Sequence, residues 1–229
     1  QNLYENMELR YAGLIPKHCH TFFGPAHVLL REEFEEARKT LKTRDGKVER
    51  ILISFGGVDQ SNETIKAVRA VESLGRAAPP GLTIDVVVGK NHPNKHEIAQ
   101  YCAAHPRFTY HCQINYMAGL MKEADLMIGA GGSTTWERCL LGLPSITLIT
   151  ADNQIELTKE VEKAAATCNL GLCHYVTSAR IADELQRLLS QPNELKLMSQ
   201  RAQSLMAKGN HPSLIDYMLS KGGRTDAND

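Results

Sequence analysis

Residues 125–137 read Asp-Leu-Met-Ile-Gly-Ala-Gly-Gly-Ser-Thr-Thr-Trp-Glu. The run 125–129 is short and apolar, Gly131 and Gly132 break it, and Ser133 and Thr134 open a stretch of helical period. A strand that ends on glycines and hydroxyls and passes directly into a helix is the turn of a βα unit. The same order occurs earlier, where the β-branched run 48–55 leads through Gly56-Gly57-Val58-Asp59 into a helix with Ser61 as candidate cap and Ile65, Val68, Val71 and Leu74 on one face. Further strand-like runs lie at 83–88, 107–111, 145–150 and about 167–175, with helices expected at about 94–103, 115–123, 134–142 and 153–166. Ser178 can cap a helix over 179–189, and helical period continues through about Met206 and again from about Pro212 to Met218. Six strands alternating with helices predict the α/β class, with a Rossmann-like parallel sheet covered by helices on both faces.

The first 45 residues have another texture, short pieces followed by a charged helix at about 32–40. The expected organisation is a remnant of a preceding domain and its connection over 1–45, the sheet domain over 46–220, and a disordered tail over 221–229. The chain opens on Gln1, with neither an initiator Met nor a signal peptide, so the natural protein is expected to extend further toward the N-terminus.

Among 229 residues, 26 basic and 26 acidic side chains cancel, so no net field favours a nucleic acid and a small ligand is expected. No apolar run approaches the roughly 18 residues of a membrane span. Six cysteines without a CxxC pair suit a reducing cytoplasm. The nine histidines show no metal-ligand spacing and no GxSxG elbow is present, so neither a metal nor a cofactor is expected.

In a doubly wound sheet a ligand lies beyond the carboxyl ends of the strands, which selects the loops after each apolar run. The glycines of Ser54-Phe55-Gly56-Gly57-Val58-Asp59 let backbone approach a ligand, and N–H groups at the next helix favour an anion. In the loop 129–137 the glycines and hydroxyls can pass under a diphosphate, while Glu137, in the first turn of the helix, can accept ribose hydroxyls. Ala151-Asp152-Asn153-Gln154 closes the strand 145–150 on the same edge. Each has a plainer reading: a tight strand-to-helix turn, an acid favoured by the helix dipole, a helix cap. Gly129-Ala130-Gly131 followed by Asp152 imitates the dinucleotide fingerprint, but Thr134 occupies the third glycine position and the motif comes late in the alternation.

Taken with Tyr11-Ala12-Gly13-Leu14-Ile15-Pro16, Gly24-Pro25 and Leu29-Leu30-Arg31-Glu32-Glu33-Phe34, these loops resemble the C-terminal half of a GT-B type glycosyltransferase fold. Within it they are most similar to the UDP-2,4-diacetamido-2,4,6-trideoxy-β-L-altropyranose hydrolase family of pseudaminic acid biosynthesis. The resemblance implies a metal-free hydrolase releasing UDP from an amino-deoxy sugar. Gly56, Gly57 and Asp59 would line the phosphate side, and Gly131, Gly132, Ser133 and Thr134 would hold the diphosphate. Glu137 would bind ribose, and Asn153, with Gln154 beside it, would face the sugar at the reaction centre. The family's general base is a histidine of an N-terminal domain that this sequence does not contain, so the chain alone is expected to bind UDP with negligible turnover. Two other readings share these loops: a GT-B glycosyltransferase using a UDP-sugar donor, and a non-catalytic nucleotide-sugar-binding module.

Overall fold

The computed structural model describes residues 2–207 and 214–222. Gln1, Pro212 at the expected start of the last helix, and the expected tail from residue 223 onward lie outside the described residues. Six strands form one sheet: β1 (Arg50–Ser54), β2 (Thr83–Val88), β3 (Phe108–Cys112), β4 (Leu126–Ala130), β5 (Ser145–Ile149) and β6 (Cys168–Leu172). All pair in parallel in the order β3-β2-β1-β4-β5-β6. The α/β, Rossmann-like architecture is therefore the one the alternation predicts.

Nine α-helices accompany the described strands: α1 (Glu32–Lys39), α2 (Glu63–Ser73), α3 (Lys95–Ala104), α4 (Met117–Glu123), α5 (Thr134–Leu140), α6 (Ile155–Lys163), α7 (Ser178–Leu189), α8 (Pro192–Leu205) and α9 (Leu214–Gly222). Successive strand residues point to opposite faces, and the two cores follow from that. Ile51, Ile53, Ile84, Val86, Ile128, Ile146 and Leu148 pack against α2, α3 and α7 on one side. Leu52, Val87 and Met127 meet Phe34, Met121, Trp136 and Leu157 from α1, α4, α5 and α6 on the other. A strand with no solvent face has no polar positions to spare, which is why β1, β2 and β4 read as near-continuous apolar runs.

Several boundaries depart from the sequence reading, each for a local reason. Phe34 of α1 is fully buried in the second core, so the boundary expected at residue 45 cuts through a packed layer. Residues 221 and 222 complete α9 rather than opening a tail. The sixth strand stops at Leu172 and continues as a single 3₁₀ turn. Thr177, not Ser178, caps α7, its hydroxyl accepting the Arg180 N–H at 3.1 Å. The helical stretch after it divides before Pro192, because a residue preceding proline disfavours helical torsions, and Gln191 is extended at φ −127°.

The sheet carries one buried polar relay. Asp85 of β2 accepts from Arg50 Nε of β1 at 2.5 Å and Arg50 Nη2 at 3.1 Å, and it contacts His111 Nε2 of β3 at 2.8 Å. Burial opposes the Asp85 charge, but hydrogen bonds from Arg50 and His111 outweigh it and hold the carboxyl below its ordinary range. Among the described residues no helix is long and apolar enough to cross a membrane, and no group of three His, Cys, Asp or Glu is placed to hold a metal ion.

Asp85 is buried but Arg50 reaches solvent, so Asp85→Asn loses charge-assisted hydrogen bonds without stranding a buried cation and should cost about 1–2 kcal/mol of unfolding free energy in urea titrations. The pair's contribution is complete above the ordinary carboxylate range and is lost as pH falls through the depressed folded-state pKa. The variant's stability profile should lack that acid limb.

Candidate functional site

Between β1 and β4 the chain winds outward in both directions, and the loops leaving those strands separate. A cleft of about 320 Å³ opens there, lined by Ser54, Gly56 and Gly57 after β1, Ser133, Thr134 and Glu137 at the start of α5, and Arg31 before α1. Val87, Val88 and Gly89 close it from β2, and Gln113, Ile114 and Met117 from the segment joining β3 to α4. Of the residues selected from sequence, Gly56, Gly57, Ser133, Thr134 and Glu137 are thus brought together.

Asp59 is not among them. Its Oδ1 accepts the Glu63 N–H at 2.9 Å and its Oδ2 the Thr64 N–H at 2.8 Å, so it caps α2 in place of the expected Ser61. The His92 Nε2 lies 3.2 Å from Oδ2, while His92 Nδ1 accepts the Asn94 N–H at 3.1 Å. That second bond fixes the proton on Nε2, and the imidazole donates to Asp59. Both side chains are buried. Asp59 therefore faces inward and joins the β1–α2 loop to the β2–α3 loop beneath the cleft floor, rather than lining a phosphate.

Gly89 is what lets those two loops touch: a Cβ there would stand 2.1 Å from the Gly57 carbonyl oxygen. Gly131 has a packing reason of the same kind, since a Cβ would come within 2.1 Å of Thr158 Oγ1 on α6. Gly131 is buried, its N–H bonded to the Leu148 oxygen at 3.1 Å, and Gly132 faces Gln154; neither lines the cleft. Gln154 turns back on its own strand end, its Oε1 accepting from the Thr150 N–H at 2.9 Å and hydroxyl at 3.1 Å. Asn153 is exposed on the short 3₁₀ turn Asp152–Gln154.

Glu137 is the most perturbed acid of the cleft. Its Oε1 is 3.2 Å from Arg31 Nη2, and Arg31 also pairs with Glu33 and stacks over the Phe34 ring at 4.9 Å. Burial is the largest influence on the Glu137 carboxyl and pushes it above the ordinary range, with the Arg31 guanidinium pulling the other way. The result is a largely desolvated acceptor, 18% exposed, held by one mobile-ended cation at the rim. Gly89, Gln113, Ile114 and Met117 were not readable as site residues, because each reaches the cleft from a segment without a motif of its own, and Arg31, although part of the segment 29–34 that carries the resemblance, was given no site role.

Residues 51–213 match the glycosyltransferase family 28 C-terminal domain. The chain belongs to that family. The spore coat polysaccharide biosynthesis protein SpsG of Bacillus subtilis is 26% identical over 185 residues, covering 80% of this chain and 53% of SpsG. The UDP-2,4-diacetamido-2,4,6-trideoxy-beta-L-altropyranose hydrolase of Campylobacter jejuni is 25% identical over 131 residues, 57% of this chain and 44% of the hydrolase. The crystal structure of Acinetobacter baumannii MurG superposes with a TM-score of 0.58 at 16% identity, over 89% of this chain and 60% of MurG. The family 28 domain described here thus has the fold of the C-terminal half of GT-B glycosyltransferases, and it spans about half the length of these curated relatives.

Because the Gly89 contact is backbone against backbone, Gly89→Ala should destabilise the family 28 domain by roughly 1–3 kcal/mol. Gly119 of α4, whose Cβ direction is open, is the control. Gly119→Ala should stabilise by about 0.5–1 kcal/mol, and thermal unfolding of the two variants measures both.

Proposed function

We propose that this chain is the nucleotide-sugar-binding half of a glycan-biosynthesis enzyme of the glycosyltransferase type, with the nucleoside diphosphate seated in the cleft between β1 and β4. The observation that carries the reading is the convergence of Gly56, Gly57, Ser133, Thr134 and Glu137 on one crevice at the carboxyl edge of the sheet. In this reading the backbone at Gly56 and Gly57 and the loop Gly132-Ser133-Thr134 approach the diphosphate, and the Glu137 carboxylate accepts the ribose hydroxyls. Donors aimed at the diphosphate stabilise charge that grows on the leaving group as the glycosidic bond breaks. Asn153, exposed at the end of β5, is assigned to the sugar side. Gln154 supports that turn from behind, and Asp59 and Gly131 support the floor. The acceptor and the general base belong to a preceding domain, and the six free cysteines fit a cytoplasmic enzyme.

The family match and the coverage of SpsG favour this glycosyltransferase reading over the hydrolase that the loops first suggest. A UDP-sugar hydrolase remains the second reading, supported by the 25% identity to the Campylobacter jejuni enzyme. The two differ in what attacks the anomeric carbon, a sugar hydroxyl or water. Once the preceding domain is supplied, product analysis distinguishes them: free sugar with UDP supports hydrolysis, and a new glycoside supports transfer.

Calorimetric titration should show saturable binding of UDP, none of NAD, and negligible UDP release from UDP-sugars by this chain alone. A hydrogen bond to a charged group contributes about 1.5–3 kcal/mol, so Glu137→Ala should weaken UDP by about tenfold or more. Since burial raises the Glu137 carboxyl, affinity should fall on acidification at a higher pH than an ordinary glutamate would give, and Glu137→Gln should flatten that profile. NAD binding in preference to UDP would overturn the assignment.

A further inference from the structure

Arg138 is buried to 2% exposure in the heart of the domain. Its Nη1 donates to the Ala130 carbonyl at 2.9 Å, and its Nη2 to Thr135 Oγ1 at 3.2 Å and Thr147 Oγ1 at 3.4 Å. All three acceptors are neutral, and among the described residues no carboxylate forms an ion pair with it. Burial lowers its pKa to about 10, opposed only by the field of Cys139 and of Glu137, neither of which hydrogen-bonds it, and the guanidinium is charged at neutral pH.

A buried charge without an ion-pair partner is costly, and three neutral acceptors offset only part of that cost. The local dipole adds to the difficulty. From its place within α5 the side chain reaches back to Thr135 and Ala130, toward the positive end of that helix, where a cation is disfavoured. Arg44, a partly buried arginine, is compensated more fully. Its guanidinium donates to the carbonyls of Met121, Lys122 and Ala124 at and just beyond the negative end of α4 and to that of Gly142 just beyond α5, with Asp125 and Glu123 nearby.

What distinguishes Arg138 is its position. The Ala130 carbonyl it holds begins the loop Gly131-Gly132-Ser133, and Ser133 and Thr134 line the cleft. We infer that Arg138 is an electrostatic positioning residue for the anionic part of the ligand: a buried cation without an ion-pair partner, stored beneath the β4–α5 loop, whose charge the diphosphate meets through the loop without touching it. The inference rests on the nucleoside-diphosphate reading of the cleft. Low dielectric between guanidinium and ligand keeps the interaction strong and shields it from salt. Unlike a surface lysine, the charge cannot swing away to bind solvent, and the loop it anchors is held for the ligand before the ligand arrives.

A residue that only braces the loop and one that supplies charge differ in what their loss does to neutral and charged ligands. The full chain and its Arg138→Met, Arg138→Lys and Thr147→Asp variants are titrated with UDP and with uridine, followed by NMR into the millimolar range. Arg138→Met should lose about tenfold or more in UDP affinity while uridine changes by less than about twofold. Arg138→Lys should recover most of the UDP affinity. Thr147→Asp leaves the guanidinium in place but pairs it with a carboxylate, so it should reproduce the selective UDP loss even if Arg138→Met fails to fold. Equal losses for UDP and uridine, or an unchanged ratio in Thr147→Asp, would overturn the role of Arg138 and leave the cleft assignment standing. Failure of the wild type to bind UDP would overturn the cleft assignment and this inference together.

Discussion

A parallel sheet wound outward from two adjacent strands cannot close its own carboxyl edge. The loops that leave β1 and β4 travel to opposite faces, and the gap between them follows from the strand order rather than from any single side chain. Everything distinctive about this domain is arranged around that gap. The Asp59–His92 bond draws the β1 and β2 loops together on one flank, and Arg138 with Thr147 and Thr135 holds the β4 loop on the other. Arg31 enters from outside the sheet to meet Glu137 at the rim.

The polar interior divides into more and less fully compensated parts. Asp85, with Arg50 and His111, is balanced within the sheet and serves the fold. Arg44 is balanced by helix carbonyls at the amino edge of the sheet. Glu137 is raised by desolvation in spite of Arg31, and Arg138 hydrogen-bonds only neutral groups, with Glu137 acting on it at longer range. The two desolvated groups are adjacent in sequence and both belong to the element that borders the cleft.

Much of the fold was legible because buried parallel strands need apolar side chains on both faces. Residues 126–130 show that requirement without interruption, and 83–88 break it only at Thr83 and at Asp85, whose charge Arg50 and His111 meet. The site was half legible. Glycines and hydroxyls after β1 and β4 pointed to loops that do border the cleft, while Asp59, whose left-handed backbone (φ 43°) precedes α2, turns its carboxylate onto that helix. Gly131 was expected to hold the diphosphate, and its missing side chain makes room for Thr158. Gln113 carries no motif and Arg31 was given no site role, so only the folded chain could place them at the cleft. Phe34 shows the same limit at the domain scale, since a lone aromatic in a charged helix gives no sign that it completes a core formed by residues as distant as Trp136 and Leu157.

The strand order also governs how the domain must come together in time. β1 finds β2 with one helix between them, but its other edge has no partner until residues 126–130 are available, after β2, β3 and three helices have formed. During synthesis from the N-terminus, one side of a strand with the apolar centre Ile51-Leu52-Ile53 is therefore an open edge for some seventy residues, and such edges template association between chains. Parallel pairing at this separation is also slow to form. The divergence that makes the ligand crevice thus makes the nascent chain dependent on β4, the strand that ends in the glycine loop.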